Sequence, residues 1–458
     1  MGQRKGRGGR GLLLHAEMSA ANDQRRTLSR LDFLRLGGLA GTALMGIPGC
    51  GGGPNRGPVE IVFSHGEVPE VLSGQITRFN HGHRGEIEVK LRLAPADTGQ
   101  YFEKLRTEFQ AGEADVDVIS GDVIWPAQFA ASGWISDLSS RFGEDLRGDH
   151  LPAAINSNTF EGAVYGVPWF TDAGMLYYRK DLLEKAGFSD PPETWEELEE
   201  QAKKVMSDSG TTYGFVFQGA EYEGGVVNGL EFIWNSGGDV LAPGNLEKVT
   251  VDAQKAVEGL ETARDTVTSG VAPEAVPSYK EYESYTVFLN GDAVFMRNWP
   301  NVYARAADPS LSKIEQQQIG VAPLPVASAG DKAYSGLGGW NLMVNAASQD
   351  KLEAAWAFIR YLSAPEQQKE RAIQGGYLPT LKDCYADHEI LSKVPVITLG
   401  REAIKNVRAR PATPFYQDMS LAMAERFHAS LAGTVTPETA ARTLSERLEE
   451  ILDSAESL

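Results

Sequence analysis

The sequence predicts an α/β protein built in two lobes, with mostly parallel sheets flanked by helices. Three observations carry this. From Val59 onward short apolar strand-like runs alternate with helix-length segments, the pattern of stacked α/β layers. Some 400 residues beyond the leader exceed what one hydrophobic core usually serves. The chain has 2 cysteines, so a disulfide framework cannot substitute for a large core.

Residues 1–49 read as an export signal. A basic segment ending at Arg35 precedes a short apolar run from Leu36 to Ile47, then Pro48-Gly49-Cys50. The run is about a dozen residues, well under the roughly 20 that cross a bilayer as a helix. Ile47 and Gly49 suit a lipobox, so Cys50 is the expected lipid-attachment residue. Ser29-Arg30-Leu31-Asp32-Phe33-Leu34-Arg35 is like a twin-arginine motif with Leu31 in the second arginine's place, and Met18 is an alternative start. The expected location is outside the cell, on the outer face of the cytoplasmic membrane.

Residues 50–58, with their Gly, Pro and Asn, form a linker holding the body off the membrane. Val59-Glu60-Ile61-Val62-Phe63 is the first strand, followed by a loop at 64–69, a helical segment and the strand Ile87 to Leu91. A helix around Tyr101 to Gln110 and the apolar run Val116 to Ile119 come next. Ligands of open parallel sheets bind where loops leave the carboxyl ends of strands. Gly121-Asp122 and Pro168 to Asp172 are expected at such ends. Thr194 with Glu197 forms a capping box before Trp195, and the same logic applies at Ser363 before Pro365-Glu366. Glu221 to Gly238 is Gly-rich yet carries Phe232, Ile233 and Trp234, so it reads as ordered loop and helix. Thr436 caps a last helix from Pro437 to Ala455, with Leu444, Leu448 and Leu452 on one stripe.

Charge narrows the function. The chain carries 43 Lys+Arg against 62 Asp+Glu, and removing residues 1–49 leaves a net charge near −24. That repels phosphates and anionic headgroups, so nucleic acid is not an expected partner. Signatures of phosphate loops, nucleophile elbows and zinc spacing are missing from the sequence, so no catalytic residue, metal or cofactor is assigned. His81 and His83 read as a solvated turn, and Cys384 as a small apolar core group.

Aromatic residues stand beside carboxylates, amides and arginine in several places: Asp122 with Trp125, Phe170 with Asp172, Tyr222-Glu223, Trp299 with Asn301, Gly339-Trp340, and Arg410 with Tyr416. A sugar needs both kinds of partner. Its hydroxyls donate to carboxylates, and its C–H face packs on the electron-rich face of an aromatic ring. Trp125, Trp134 and Trp195 read as structural.

From Val59 onward the sequence resembles the extracellular solute-binding proteins of carbohydrate ABC importers, trehalose/maltose-binding proteins most of all. The stretches that carry the resemblance are Asp115 to Trp134, Tyr165 to Lys185, Pro191 to Trp195, Phe217 to Gly219 with Tyr222 to Gly224, Asn298 to Pro300, Leu337 to Trp340, and Arg410-Pro411. The resemblance implies a maltose-binding-protein-like fold with a ligand cleft between lobes. One lobe would be 59–167 plus 323–376, the other 168–322 plus 377–458, with crossings near Val167, Ala322 and Tyr377.

It also implies a site. Asp122 and Asp172, one from each lobe, would accept from sugar hydroxyls. Trp299 and Trp340 would stack on or wall the rings, Gly339 would bring backbone close, and Arg410 would donate. Phe170 falls where relatives have tyrosine, and Asn301 where they have an aromatic. Glu67, with Glu70 competing, would supply an acid from the first loop, and Glu223 another. The expected ligand is a disaccharide of the trehalose or maltose type, handed by a monomeric receptor to a membrane permease and its ATPase.

Plainer readings stand beside these. Asp122 could cap a helix starting near Val123, Asp172 a helix leading to Tyr177, and Arg410 could be a surface ion pair. The same scaffold could hold another ligand, such as a sucrose-type sugar, a polyol, a longer oligosaccharide or a glycerophosphodiester. An exported glycosidase would need two of the carboxylates, and neither Asp122 nor Asp172 lies in an evident apolar niche.

Overall fold

The computed structural model describes residues 57–66, 69–95, 97–112 and 115–456. The leader, Cys50 and Glu67 lie outside the described residues. Among the described residues the strands follow in order: β1 (Val59–His65), β2 (Ile87–Leu93), β3 (Val118–Asp122), the hairpin β4 (Thr159–Phe160) and β5 (Ala163–Val164), β6 (Val167–Ala173), β7 (Met175–Arg179), β8 (Tyr213–Val216), the hairpin β9 (Leu241–Ala242) and β10 (Asn245–Val249), β11 (Ala293–Asn298), β12 (Ile319–Ala322), β13 (Ser335–Val344) and β14 (Val407–Arg408).

Two larger sheets result. The first runs β14-β13-β3-β1-β2, with β6 also on β13; the second runs β12-β7-β11-β8. Parallel pairing holds at β1–β2, β1–β3, β11–β8 and β13–β14. Where the chain passes between sheets without an intervening helix, neighbours run antiparallel instead: β13 against β3 and β6, and β7 against β11 and β12. The sheets are therefore mixed.

β13 is buried at nine of its ten positions, with no alternation, because helices or neighbouring strands cover both of its faces. Its sheet packs Phe63, Leu72, Phe79 and Phe358 on one side. On the other side, Tyr101, Trp125 and Phe129 share a core with the helices Glu223–Asn235, Tyr416–Leu431 and Pro437–Glu456. The second sheet sits between a core containing Tyr177, Met296 and Phe288 and another containing Phe215, Phe295 and Leu198.

β6 of the first sheet continues through Gly174 into β7 of the second. A side chain there has no room, because a Cβ would stand 2.0 Å from Glu231 Oε1. Residues 323–334 return the chain from β12 to β13, and Leu378 pairs with Thr171 before the chain enters the core under the second sheet. An ion pair marks the first crossing. The Arg297 guanidinium donates from Nε and Nη2 to the two Glu231 oxygens, each at 2.7 Å, and both side chains are almost fully buried. Glu231 also accepts from Gly336 N–H at 2.8 Å, at the start of β13.

Helix signals fared unevenly. Thr194 Oγ1 accepts from Glu197 N–H while the Glu197 carboxylate accepts from Thr194 N–H, completing the capping box. Thr436 Oγ1 accepts from Thr439 N–H, and Leu444 and Leu448 are fully buried. Ser363 does not cap. Helix Leu352–Ser363 runs through it, so its hydroxyl donates back to the Ile359 carbonyl at 2.8 Å, and Pro365 starts the next helix without a side-chain cap. His83 ends helix Glu70–Gly82 with its ring stacked on Phe79. Cys384 is buried in the core under the second sheet, where burial pushes its thiol up to about 11.

Candidate functional site

The ends of β3 and β11, with mid-strand residues of β6 and β13, converge on a cavity of about 470 Å³. Pro168 to Asp172 thus lie within a strand rather than at its end, because β6 runs on to Ala173 along β13. Nine side chains or backbones anticipated from the sequence line it: Asp122, Phe170, Asp172, Glu223, Trp299, Asn301, Gly339, Trp340 and Arg410. Glu70 does not; it is exposed as the first residue of its helix.

β13 builds one wall by register. Trp340 lies opposite Asp122 of β3, and Gly338 opposite Asp172 of β6. Both carboxylates thus hang from the first sheet, which corrects their assignment to opposite lobes. The reason is local: β6 adds to the first sheet before the chain crosses. The run toward Tyr177 is the strand β7, so Asp172 has no helix to cap.

Asp122 Oδ1 accepts from Ile124 N–H and from Arg410 Nη2, each at 3.2 Å. It closes the turn after β3 and faces the cleft at once. Burial pushes its pKa up to about 6, against the pull of Arg410. Asp172 is partly exposed as a residue, yet its Oδ1 is sealed and makes no hydrogen bond. Burial first, then the nearby Asp122 carboxylate, raise its pKa to about 8, with Arg297 opposing. The expectation that neither acid sits in an apolar niche is therefore corrected. Asp172 is the acid in question, buried beside Gly338 next to the Trp299 ring, whereas Asp122 is buried beside the charged Arg410 and Glu223.

Arg410 is not a surface ion pair. It is 6% exposed and clamped on three sides: Nη1 donates to Glu223 Oε1, and Nη2 to Asp122 Oδ1 and the Leu337 carbonyl. Glu223 is saturated by Arg410, the Tyr416 hydroxyl at 2.7 Å and the Ser420 hydroxyl. Its carboxylate orients the guanidinium rather than standing free.

Two indoles furnish flat surfaces. Trp299 follows β11, has Arg297 over one face at 4.0 Å, and donates from Nε1 to Glu281 Oε1 at 3.3 Å. Gly338 keeps its approach clear, since a Cβ there would come within 3.0 Å of the ring. Trp340 is partly exposed and braced edge-on by Trp125 and His65, at 5.6 and 5.7 Å between ring centres. Trp125 is core, as expected. Phe170 packs on Tyr377 at 4.8 Å, and Asn301 opens the short helix Asn301–Arg305. Gly339 has φ 120°, and a Cβ there would meet the Phe170 carbonyl at 2.4 Å, so the glycine is demanded by strand packing.

Glu281, Lys280, Asp97 and His65 also line the cleft and were not anticipated. Glu281 Oε2 accepts from the Tyr222 hydroxyl at 2.8 Å, so one carboxylate steadies two aromatic rings. Lys280 Nζ reaches across to Asp97 Oδ2 at 2.6 Å. His65 Nδ1 lies 2.6 Å from Ser120 Oγ, and burial drives its pKa down to about 3, keeping the ring neutral. Lys280 and Glu281 lie outside the clusters that marked the other site residues in the sequence. Among the described residues no helix is long and apolar enough to cross a membrane.

Comparison with known proteins places this architecture. A protein of Deinococcus radiodurans called a probable ABC transporter-binding protein is 38% identical over 371 residues, covering 79% of this chain and 86% of that one. Maltose-bound MalE3 of T. maritima superimposes with a TM-score of 0.80 at 38% identity, covering 86% of this chain and 100% of that structure. A solute-binding protein of an ABC transporter from Thermotoga lettingae, bound with α-D-tagatose, has a TM-score of 0.76 at 25% identity, covering 87% and 100%. These relatives share the two-lobed maltose-binding type of fold. The family model for bacterial extracellular solute-binding proteins matches residues 67–369, and the chain belongs to that family.

Proposed function

We propose that this chain is the receptor of an ABC importer that captures a disaccharide of the trehalose or maltose type and presents it to a membrane permease. The carrying observation is that the carboxyl groups of Asp122 and Asp172 and the Arg410 guanidinium converge on one cleft walled by Trp299 and Trp340. A hydroxyl-rich ligand donates to such carboxyl groups, and its C–H faces suit the two indoles. The cavity volume falls within the roughly 300–1,000 Å³ range of small-molecule sites.

Asp122 and Asp172 accept from hydroxyls, Arg410 donates under the orientation set by Glu223, Phe170 and Asn301 shape the ends, and Gly339 admits the backbone. The chain first crosses between lobes after Ala173, so Asp122 and Asp172 stand with the first sheet and Trp299 and Asn301 with the second, and the lobes close because sugar contacts both. Lipid on Cys50 tethers the monomeric receptor outside the membrane. Calorimetric titration with trehalose, maltose, sucrose and ribitol tests the ligand. Saturable binding of a disaccharide, abolished by Asp172→Ala and by Trp299→Ala, is expected; no binding, or binding untouched by both changes, refutes the site.

A hydrolytic reading gains from the two neighbouring acids with raised pKa values. Release of glucose from maltose or trehalose by the purified protein would favour it. The relatives are named as binding proteins, and intact sugar after prolonged incubation is the expected result.

A further inference from the structure

A second cavity of about 600 Å³ lies on the other side of the crossing strands and shares only Asp172 with the cleft. Ala173, Leu337 and Leu378, each at most 1% exposed, form an aliphatic part of its floor, with Thr171, Asp172 and Tyr385 beside them. Ile397 and Ile404 continue the apolar wall outward. Arg401 and Lys405 complete it, exposed and one helical turn apart on the same face of the helix Arg401–Lys405. Lys405 has only a distant, exposed ion pair with Glu402 at 3.7 Å. A pocket with an aliphatic stretch of floor and two cations at its mouth suits a molecule that is apolar at one end and anionic at the other.

We infer that this cavity binds a single-chain amphiphile with an anionic head, its alkyl chain along Leu378, Leu337 and Ile404 and its carboxylate between Arg401 and Lys405. The cleft's polar wall of Asp122, Arg410 and Glu281 could not accept such a chain, so the two sites sort ligands by chemistry.

Titrating the full chain with dodecanoate below its micelle concentration tests this. Saturable one-to-one binding is expected, with decanoate weaker by roughly tenfold because each methylene removed costs about three- to fourfold. Arg401→Ser with Lys405→Ser should weaken dodecanoate by roughly fivefold, as for exposed charge pairs. Ala153→Trp, which fills the cavity from its rim, should remove binding while circular dichroism and Tm stay near wild type. If Ala153→Trp does not fold, the charge variant decides alone. Absence of saturable binding, equal binding of dodecyltrimethylammonium, or dodecanoate binding undiminished in the folded variants would overturn the assignment. None of these readouts depends on sugar binding in the cleft.

Discussion

Asp172 holds a proton in the folded protein that it would lose in the unfolded chain near pH 4. The sign of its effect follows. Between about pH 4 and pH 8 the folded state binds more protons than the unfolded state, so this group makes stability fall as pH rises, by at most about 1.4 kcal/mol per pH unit, and then level off. Asp172→Asn keeps the shape without the titration. Its Tm relative to wild type should therefore climb between pH 5 and pH 8; a constant offset in thermal melts over that range would show that the carboxyl is solvated. Residues of this kind were legible where they stood beside an aromatic or glycine, as Asp122, Asp172, Trp299 and Trp340 do. Glu281 was not, because what aims it is the spacing of Tyr222 and Trp299 in the fold. Glu223 was read as a contact for the same reason: the Tyr416 and Ser420 hydroxyls that saturate it lie nearly 200 positions away.

Among the elements, the passage from β6 to β7 governs the most. Gly174 lets the chain run straight from one sheet to the other against Glu231 and Arg297, and Gly336 ties the return strand to the same carboxylate. Both partners are fully paired, so removing one strands a buried charge. Arg297→Leu should cost about 3–5 kcal/mol of unfolding free energy in urea titrations, whereas Arg297→Leu with Glu231→Leu should recover much of that loss. If the single and double variants lose equal stability, the pair carries no net coupling. Capped helices and the amphipathic last helix were readable because their signals are local. The apolar run from Val167 to Arg179 carries no periodicity that separates buried strand from helix, and only pairing with β13 and β11 resolves it.

At the scale of the whole molecule, length and the ordered family stretches made two lobes legible, but not the contacts that hold them together across the cleft. Asp97 follows β2 of the first sheet, while Lys280 precedes the helix Glu281–Leu289 leading into β11 of the second, and they meet 183 positions apart at the cleft mouth. Sugar binding draws on this pair only through the closed state, since a contact equally present in open and closed forms shifts nothing. Its side chains are 45% and 23% exposed, which limits it to the range of surface pairs, roughly a two- to fivefold change in affinity. Asp97→Asn is the cleaner probe, because an asparagine oxygen can still accept from Gln100 N–H at the start of helix Thr98–Ala111. The variant should bind maltose a few-fold more weakly than wild type at low salt with unchanged Tm. That gap should close near 1 M NaCl, where screening acts over only about 3 Å and already quenches the wild-type pair. Equal affinities at low salt would mean that Lys280 and Asp97 do not touch in the sugar-bound form, and closure would then rest on the sugar's own contacts with both sheets.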